Sequence, residues 1–74
     1  MFSAKRFLQS EVGTAPQVLV LCTLYGIKSP TLEAVQKWYS RDAMPGAWLA
    51  KLLGLLELEK GRPVSLAPYF DGVL

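Results

Sequence analysis

Glycine and proline divide this 74-residue chain into segments that are too short for anything but short helices or short strands. Gly13, Gly26 and Gly61 mark three of the boundaries, and Pro30 and Pro45 mark two more. The segments between them are rich in apolar residues, and most of them repeat these residues at about every third or fourth position, as a helix does. We therefore predict an all-α fold of four to five short helices.

Capping signals favour helices over strands. The second segment is apolar on all sides, which fits a buried strand or a buried helix, but Thr14 and Gln17 have the spacing of a helix capping box. Ser29 is expected to cap the third helix, with Pro30 in its first turn. Residues 65–70 are left open between a short helical turn and an extended C-terminal arm. The expected helices span about residues 4–12, 14–25, 30–40 and 45–60.

Composition limits the class of protein. Apolar residues make up 51% of the chain, more than a core of this size can enclose, so we expect an exposed apolar patch and a homodimer or another partner. The longest apolar runs fall well short of the ~20 residues that span a bilayer, which predicts no membrane helix. The single cysteine, Cys22, is expected in the core and allows no internal disulfide, which fits a cytoplasmic location.

The residue types argue against catalysis and against metal binding. The chain has no histidine, only one cysteine and no glycine-rich loop that would surround a phosphate. Glu57 and Glu59 are the only close carboxylates within one predicted helix, and a spacing of two directs them to different sides. We therefore expect neither an enzyme nor a protein that holds a metal or another cofactor.

Charge and spacing single out the third segment as a binding surface. The net charge of +2 is small, but residues 1–41 carry five basic and two acidic residues, so the positive charge lies in this part. Val35 and Trp38 are three positions apart and are expected to anchor the third helix to the core. Gln36 and Lys37 then point outward from the same turn. The outer side of this helix is therefore polar and free to bind another molecule.

A wider pattern surrounds this helix. Its residues, in chain order, are Gly26-Ile27, Val35-Gln36-Lys37-Trp38, Met44-Pro45 and the leucine-rich run from Leu49. Over about residues 4–60, this pattern resembles the helix-turn-helix region of phage Cro and lambda-repressor-like regulators.

The resemblance implies one helix-turn-helix-like domain over residues 1–74, with the motif at about 14–41 and a C-terminal appendage at 62–74. The third helix would then enter the major groove of double-stranded DNA. Its glutamine can hydrogen-bond adenine and its lysine can reach guanine, whereas hydroxyls at the helix start and nearby cations suit phosphates. The expected DNA-binding residues are Lys28, Ser29, Thr31, Gln36, Lys37, Ser40 and Arg41.

These expectations describe a sequence-specific DNA-binding transcriptional regulator of phage or mobile-element type, which acts as a repressor dimer on a two-fold operator. The side chains expected at the contact between two copies are Leu55, Leu58, Tyr69 and Phe70. The alternative is a small inhibitor or adaptor that keeps the helix-turn-helix-like framework but docks on a bacterial host protein. An antitoxin ranks last, because no long disordered tail that would block a toxin is visible.

Overall fold

Four helices and one 3-10 turn make up residues 1–70, the part of the chain that the computed structural model describes, and no strand occurs in this part. The elements are α1 (Ala4–Glu11), α2 (Ala15–Leu24), α3 (Leu32–Arg41), α4 (Gly46–Lys60) and the 3-10 turn Ala67–Tyr69. The predicted all-α fold is confirmed. Residues 71–74, the end of the predicted 62–74 appendage, lie outside the described residues. None of the described helices is long and apolar enough to cross a membrane.

The first two helices begin where side chains satisfy free backbone N–H groups. At the start of α1, Ser3 Oγ accepts a hydrogen bond from the N–H of Arg6 at 3.3 Å. At the start of α2, Gln17 Oε1 accepts from the N–H of Thr14 at 2.7 Å, so the predicted pairing of these two residues is confirmed. A cap of this kind contributes about 1 kcal/mol to helix stability.

The start of α3 differs from the prediction. Thr31, not Ser29, caps this helix, because Thr31 Oγ1 accepts a hydrogen bond from the N–H of Ala34 at 3.1 Å. The helix therefore begins at Leu32, two residues later than expected. The loop between α2 and α3 covers residues 25–31 and is longer than the turn of about three to four residues in a typical helix-turn-helix. Helices therefore lie on both sides of this loop, as predicted, but the short turn of a typical helix-turn-helix is not observed.

One apolar core stabilises the helices, which have 8 to 15 residues and are too short to be stable alone. All four contribute to it: Phe7, Val18, Val35 and Leu52, one from each helix, are fully buried. Burial of such a side chain contributes ~1.5–3 kcal/mol, which exceeds the ~1 kcal/mol of one cap. Cys22 is buried in the same core, as predicted.

The segment after α4 packs on the N-terminal segment and on α1. Phe2 and Phe70 form an isolated antiparallel bridge, and their ring centroids lie 5.3 Å apart. The ring of Tyr69 contacts the ring of Phe7 edge-on, with 5.7 Å between centroids. Of the two alternatives left open for residues 65–70, the helical turn is the one observed, and it returns the chain to α1.

Two of the four residues expected at a dimer contact belong to the core of a single protomer. Leu55 is 7% exposed and Tyr69 is 8% exposed. Leu55 is buried because α4 packs Leu52 and Leu55 together against the core. The apolar side of α4 is therefore wider than the spacing of its apolar residues in the sequence suggested. Leu58 and Phe70 keep 69% and 39% exposure, so these two side chains remain available to a second copy.

One carboxylate joins three parts of the chain. Glu11, at the end of α1, accepts hydrogen bonds from Lys60 Nζ at the end of α4 and from the hydroxyl of Tyr69 in the 3-10 turn. The bond from Lys60, followed by that from Tyr69, lowers the pKa of Glu11. Burial, followed by the bond to Glu11, raises the pKa of Tyr69. The ends of α1 and α4 are therefore held together in the state in which Glu11 is ionised.

We expect acid to destabilise the fold through Glu11. Because its pKa is lower in the folded protein than in the unfolded chain, its contribution to stability is complete above the ordinary pKa of glutamate. That contribution is lost as the pH falls through this value towards the lower folded pKa. The free energy of unfolding, measured with urea at neutral and acidic pH, should fall less steeply in Glu11→Gln than in the native protein. Glu33→Gln, which removes an exposed carboxylate, should keep the native slope; equal slopes in all three proteins would contradict this role of Glu11.

Candidate nucleic-acid interface

α3 is fixed to the rest of the protein along one side. Val35 is fully buried, and Trp38 is 7% exposed, with its ring centroid 5.9 Å from that of Trp48. The hydroxyl of Tyr39 donates a hydrogen bond to the carbonyl of Gly13 at 2.6 Å, and burial raises the pKa of Tyr39. The two predicted anchors, Val35 and Trp38, thus lie in the core, and the opposite side of α3 faces solvent.

The C-terminal end of α3 is fixed by Asp42. This residue ends the helix with a left-handed backbone at φ 53°, a conformation that aspartate tolerates better than most residues do. Its Oδ1 accepts hydrogen bonds from the N–H of Lys5 and from Ser3 Oγ, both at 2.8 Å. The Lys5 N–H, followed by the Ser3 hydroxyl, lowers the pKa of Asp42. The end of α3 is therefore joined to the start of α1, which sets the direction in which the outer side of α3 faces.

The outer side of α3 carries polar and charged side chains. We call it the α3 surface and define it by the exposed residues Glu33, Gln36, Lys37, Ser40 and Arg41. Four of the seven predicted DNA-binding residues are therefore brought together on one helix. The hydroxyl of Ser40 donates to the carbonyl of Lys37 at 3.3 Å, and its oxygen remains able to accept a further hydrogen bond.

Lys37 has a partner within the α3 surface. Its Nζ lies 3.5 Å from Glu33 Oε1, one turn earlier, and the two side chains are 54% and 80% exposed. An exposed pair of this kind contributes only ~0.2–1 kcal/mol. Lys37 can therefore exchange Glu33 for another anion at little cost.

A groove of about 330 Å³ runs beside the α3 surface. Lys37 and Arg41 line it from α3, and Trp38, Met44 and Pro45 provide its apolar part. Like charges four positions apart destabilise a helix by about 0.2–0.5 kcal/mol, although a cation in the last turn, such as Arg41, also gains from the helix dipole. An anion placed between the two cations would remove their repulsion, and a phosphate group meets this requirement.

The other three predicted DNA-binding residues lie in the loop before α3. Lys28 lines a second groove together with Lys51 of α4, and does not line the groove beside Lys37. Ser29 is half-buried, and Thr31 already accepts the hydrogen bond that caps α3, so its hydroxyl has a proton left to donate. The predicted residues are thus divided between the α3 surface and this loop.

The apolar part of the first groove and the position of Lys51 were not predicted from the sequence. Met44 and Pro45 marked a turn and a helix start in the sequence, but their contact with α3 depends on how α3 and α4 cross. Lys51 Nζ lies 4.5 Å from the centre of the Trp48 ring. This cation–π contact joins residues three apart on one helix, a spacing that the sequence does contain.

Comparisons with known proteins identified no relative of this chain. The chain matches no protein-family model, and no curated protein or solved structure is significantly similar to it. The resemblance to Cro and lambda-repressor-like regulators therefore stays a prediction that rests on the residues of the chain itself.

Proposed function

We propose that the protein is a sequence-specific DNA-binding regulator of phage or mobile-element type, which represses transcription by occupying a promoter. The α3 surface is the observation that supports this function best. Val35 and Trp38 hold one side of the helix in the core, while the other side exposes an amide, a hydroxyl, two cations and the carboxylate of Glu33. A helix is narrow enough to bring such groups to the base edges of the major groove. A regulator of this kind acts in the cytoplasm on double-stranded DNA.

The side chains of the α3 surface divide the work of binding between bases and phosphates. Gln36 suits adenine, whose N6 and N7 match both polar atoms of an amide, and Lys37 suits the two acceptors of guanine. Arg41 and Ser40, one turn later, suit phosphates, which position a protein on DNA without recognising sequence. Lys28, Ser29 and Thr31 in the preceding loop add phosphate contacts at the start of α3.

We expect Gln36→Ala and Lys37→Ala each to weaken binding to a preferred DNA sequence by ~1–3 kcal/mol and to relax preference at one base pair. The preferred sequence is first selected from a pool of random duplexes with the native protein, and affinities are then measured by fluorescence anisotropy. Gln9→Ala removes an exposed amide from α1 and should bind with native affinity. Native affinity in Gln36→Ala and Lys37→Ala, or an equal loss in Gln9→Ala, would contradict base recognition by α3.

A second candidate function is a small inhibitor or adaptor that docks on a bacterial host protein. It is favoured by the outer side of α2, where Val20 is 63% exposed and Leu24 is 66% exposed. Together with Leu19 and Thr23, these two residues line an open groove of about 320 Å³. An apolar surface of this kind binds another protein more readily than it binds DNA.

Salt dependence separates the two candidates. We expect affinity for random-sequence duplex DNA to fall by about one power of the salt concentration for each phosphate contact, because each contact releases counterions. The measurement is a titration of the duplex with the native protein at several salt concentrations. Absence of binding at low salt, or an affinity that does not change with salt, would favour the protein-docking function.

A further inference from the structure

α4 exposes one side that the core does not use. Residues three, four and seven positions apart share one side of a helix, and Gly54 lies at the middle of this side. We call it the α4 surface, and its exposed residues are Ala47, Ala50, Lys51, Gly54, Glu57 and Leu58.

Contacts within one protomer do not explain why residue 54 is a glycine. It lies inside α4, where glycine is less favourable than alanine. A Cβ atom added at this position would meet no atom within 4 Å, so no part of the same protomer requires the missing side chain. A glycine on the open side of a helix allows the backbone of another molecule to approach closely.

The α4 surface combines a groove with a projecting leucine. The groove, the same one that Lys28 lines, has a volume of about 460 Å³ and is lined by Ala50, Lys51 and Gly54 on α4 and by Ile27 and Lys28 on the opposite wall. Leu58, at the edge of the same groove, is 69% exposed. A small side chain thus lies four positions before Gly54, and a large apolar one lies four positions after it.

We propose that the α4 surface binds a second copy of this chain, with the two α4 helices antiparallel and a two-fold axis at Gly54. In such a contact, residues equally far from the axis in opposite directions lie at the same level. Leu58 then packs beside Ala50 of the second copy and enters its groove. Lys51 lies level with Glu57 of the second copy and forms an ion pair with it. The two-fold axis repeats both contacts on the other side of Gly54.

The pattern of the α4 surface selects a second copy over another occupant. Its large and small residues, and its positive and negative residues, are arranged about one point so that the surface complements itself. The outer side of α2 lacks this property, because α2 contains no charged residue that would select a partner or a register. The proposed dimer is independent of the proposed DNA binding. It can therefore be tested in the absence of DNA.

Two matched leucine variants test the α4 contact. The molar mass of the native protein, Leu58→Lys and Leu24→Lys is measured by sedimentation equilibrium over a range of concentrations without DNA. Leu24 and Leu58 have similar exposure, 66% and 69%, but lie on different helices. We expect the native protein and Leu24→Lys to form dimers. In Leu58→Lys a charge enters the apolar contact, so the dimer dissociation constant should rise by about tenfold or more. A monomeric native protein, or dissociation by Leu24→Lys but not by Leu58→Lys, would overturn the proposal.

A charge exchange tests the antiparallel register and remains informative if Leu58→Lys does not fold. Lys51→Glu and Glu57→Lys each place like charges level with each other, so each should weaken the dimer several-fold. The double variant Lys51→Glu/Glu57→Lys restores opposite charges and should recover most of the native dimer affinity. Single variants without effect, or a double variant as weak as the single ones, would overturn the pairing of Lys51 with Glu57.

Discussion

The packing of Val35 and Trp38 into the apolar core is the constraint on which the rest of the structure depends. Both residues lie on one side of α3, so the advance of about 100° per residue leaves Gln36 and Lys37 on the solvent side. Rotation of α3 by one residue would bury an amide or a cation without a partner, at a cost of several kcal/mol. The hydrogen bonds that Asp42 accepts hold the C-terminal end of α3 in place.

Local signals were sufficient to predict most helices, whereas contacts between distant residues were not predictable. Thr14 and Gln17 are three positions apart, and their pairing follows from sequence alone. By contrast, Glu11 bonds to Lys60 and Tyr69, which lie 49 and 58 positions away and share no local pattern with it.

Ambiguous local signals explain the remaining errors. Ser29 and Thr31 are both good capping residues on either side of a proline, and the choice between them depends on the loop length that lets α3 reach the core. Leu55 and Leu58 belong to a helix with leucines on several sides, so periodicity did not indicate which one is buried. The exposure of the α3 residues was predictable because it follows from the two anchors alone.

The α3 surface and the α4 surface border different grooves that share no lining residue, and Lys28, one of the proposed phosphate contacts, lines the groove on the α4 side. The most direct measurement of the role of α3 is an NMR titration of isotope-labelled protein with random-sequence duplex DNA. We expect chemical-shift changes at the amides of residues 36–41 at low salt, reversal of these changes at high salt, and little change at Val20 and Leu24. Unchanged amides in α3 at low salt, or changes confined to the outer side of α2, would contradict the account.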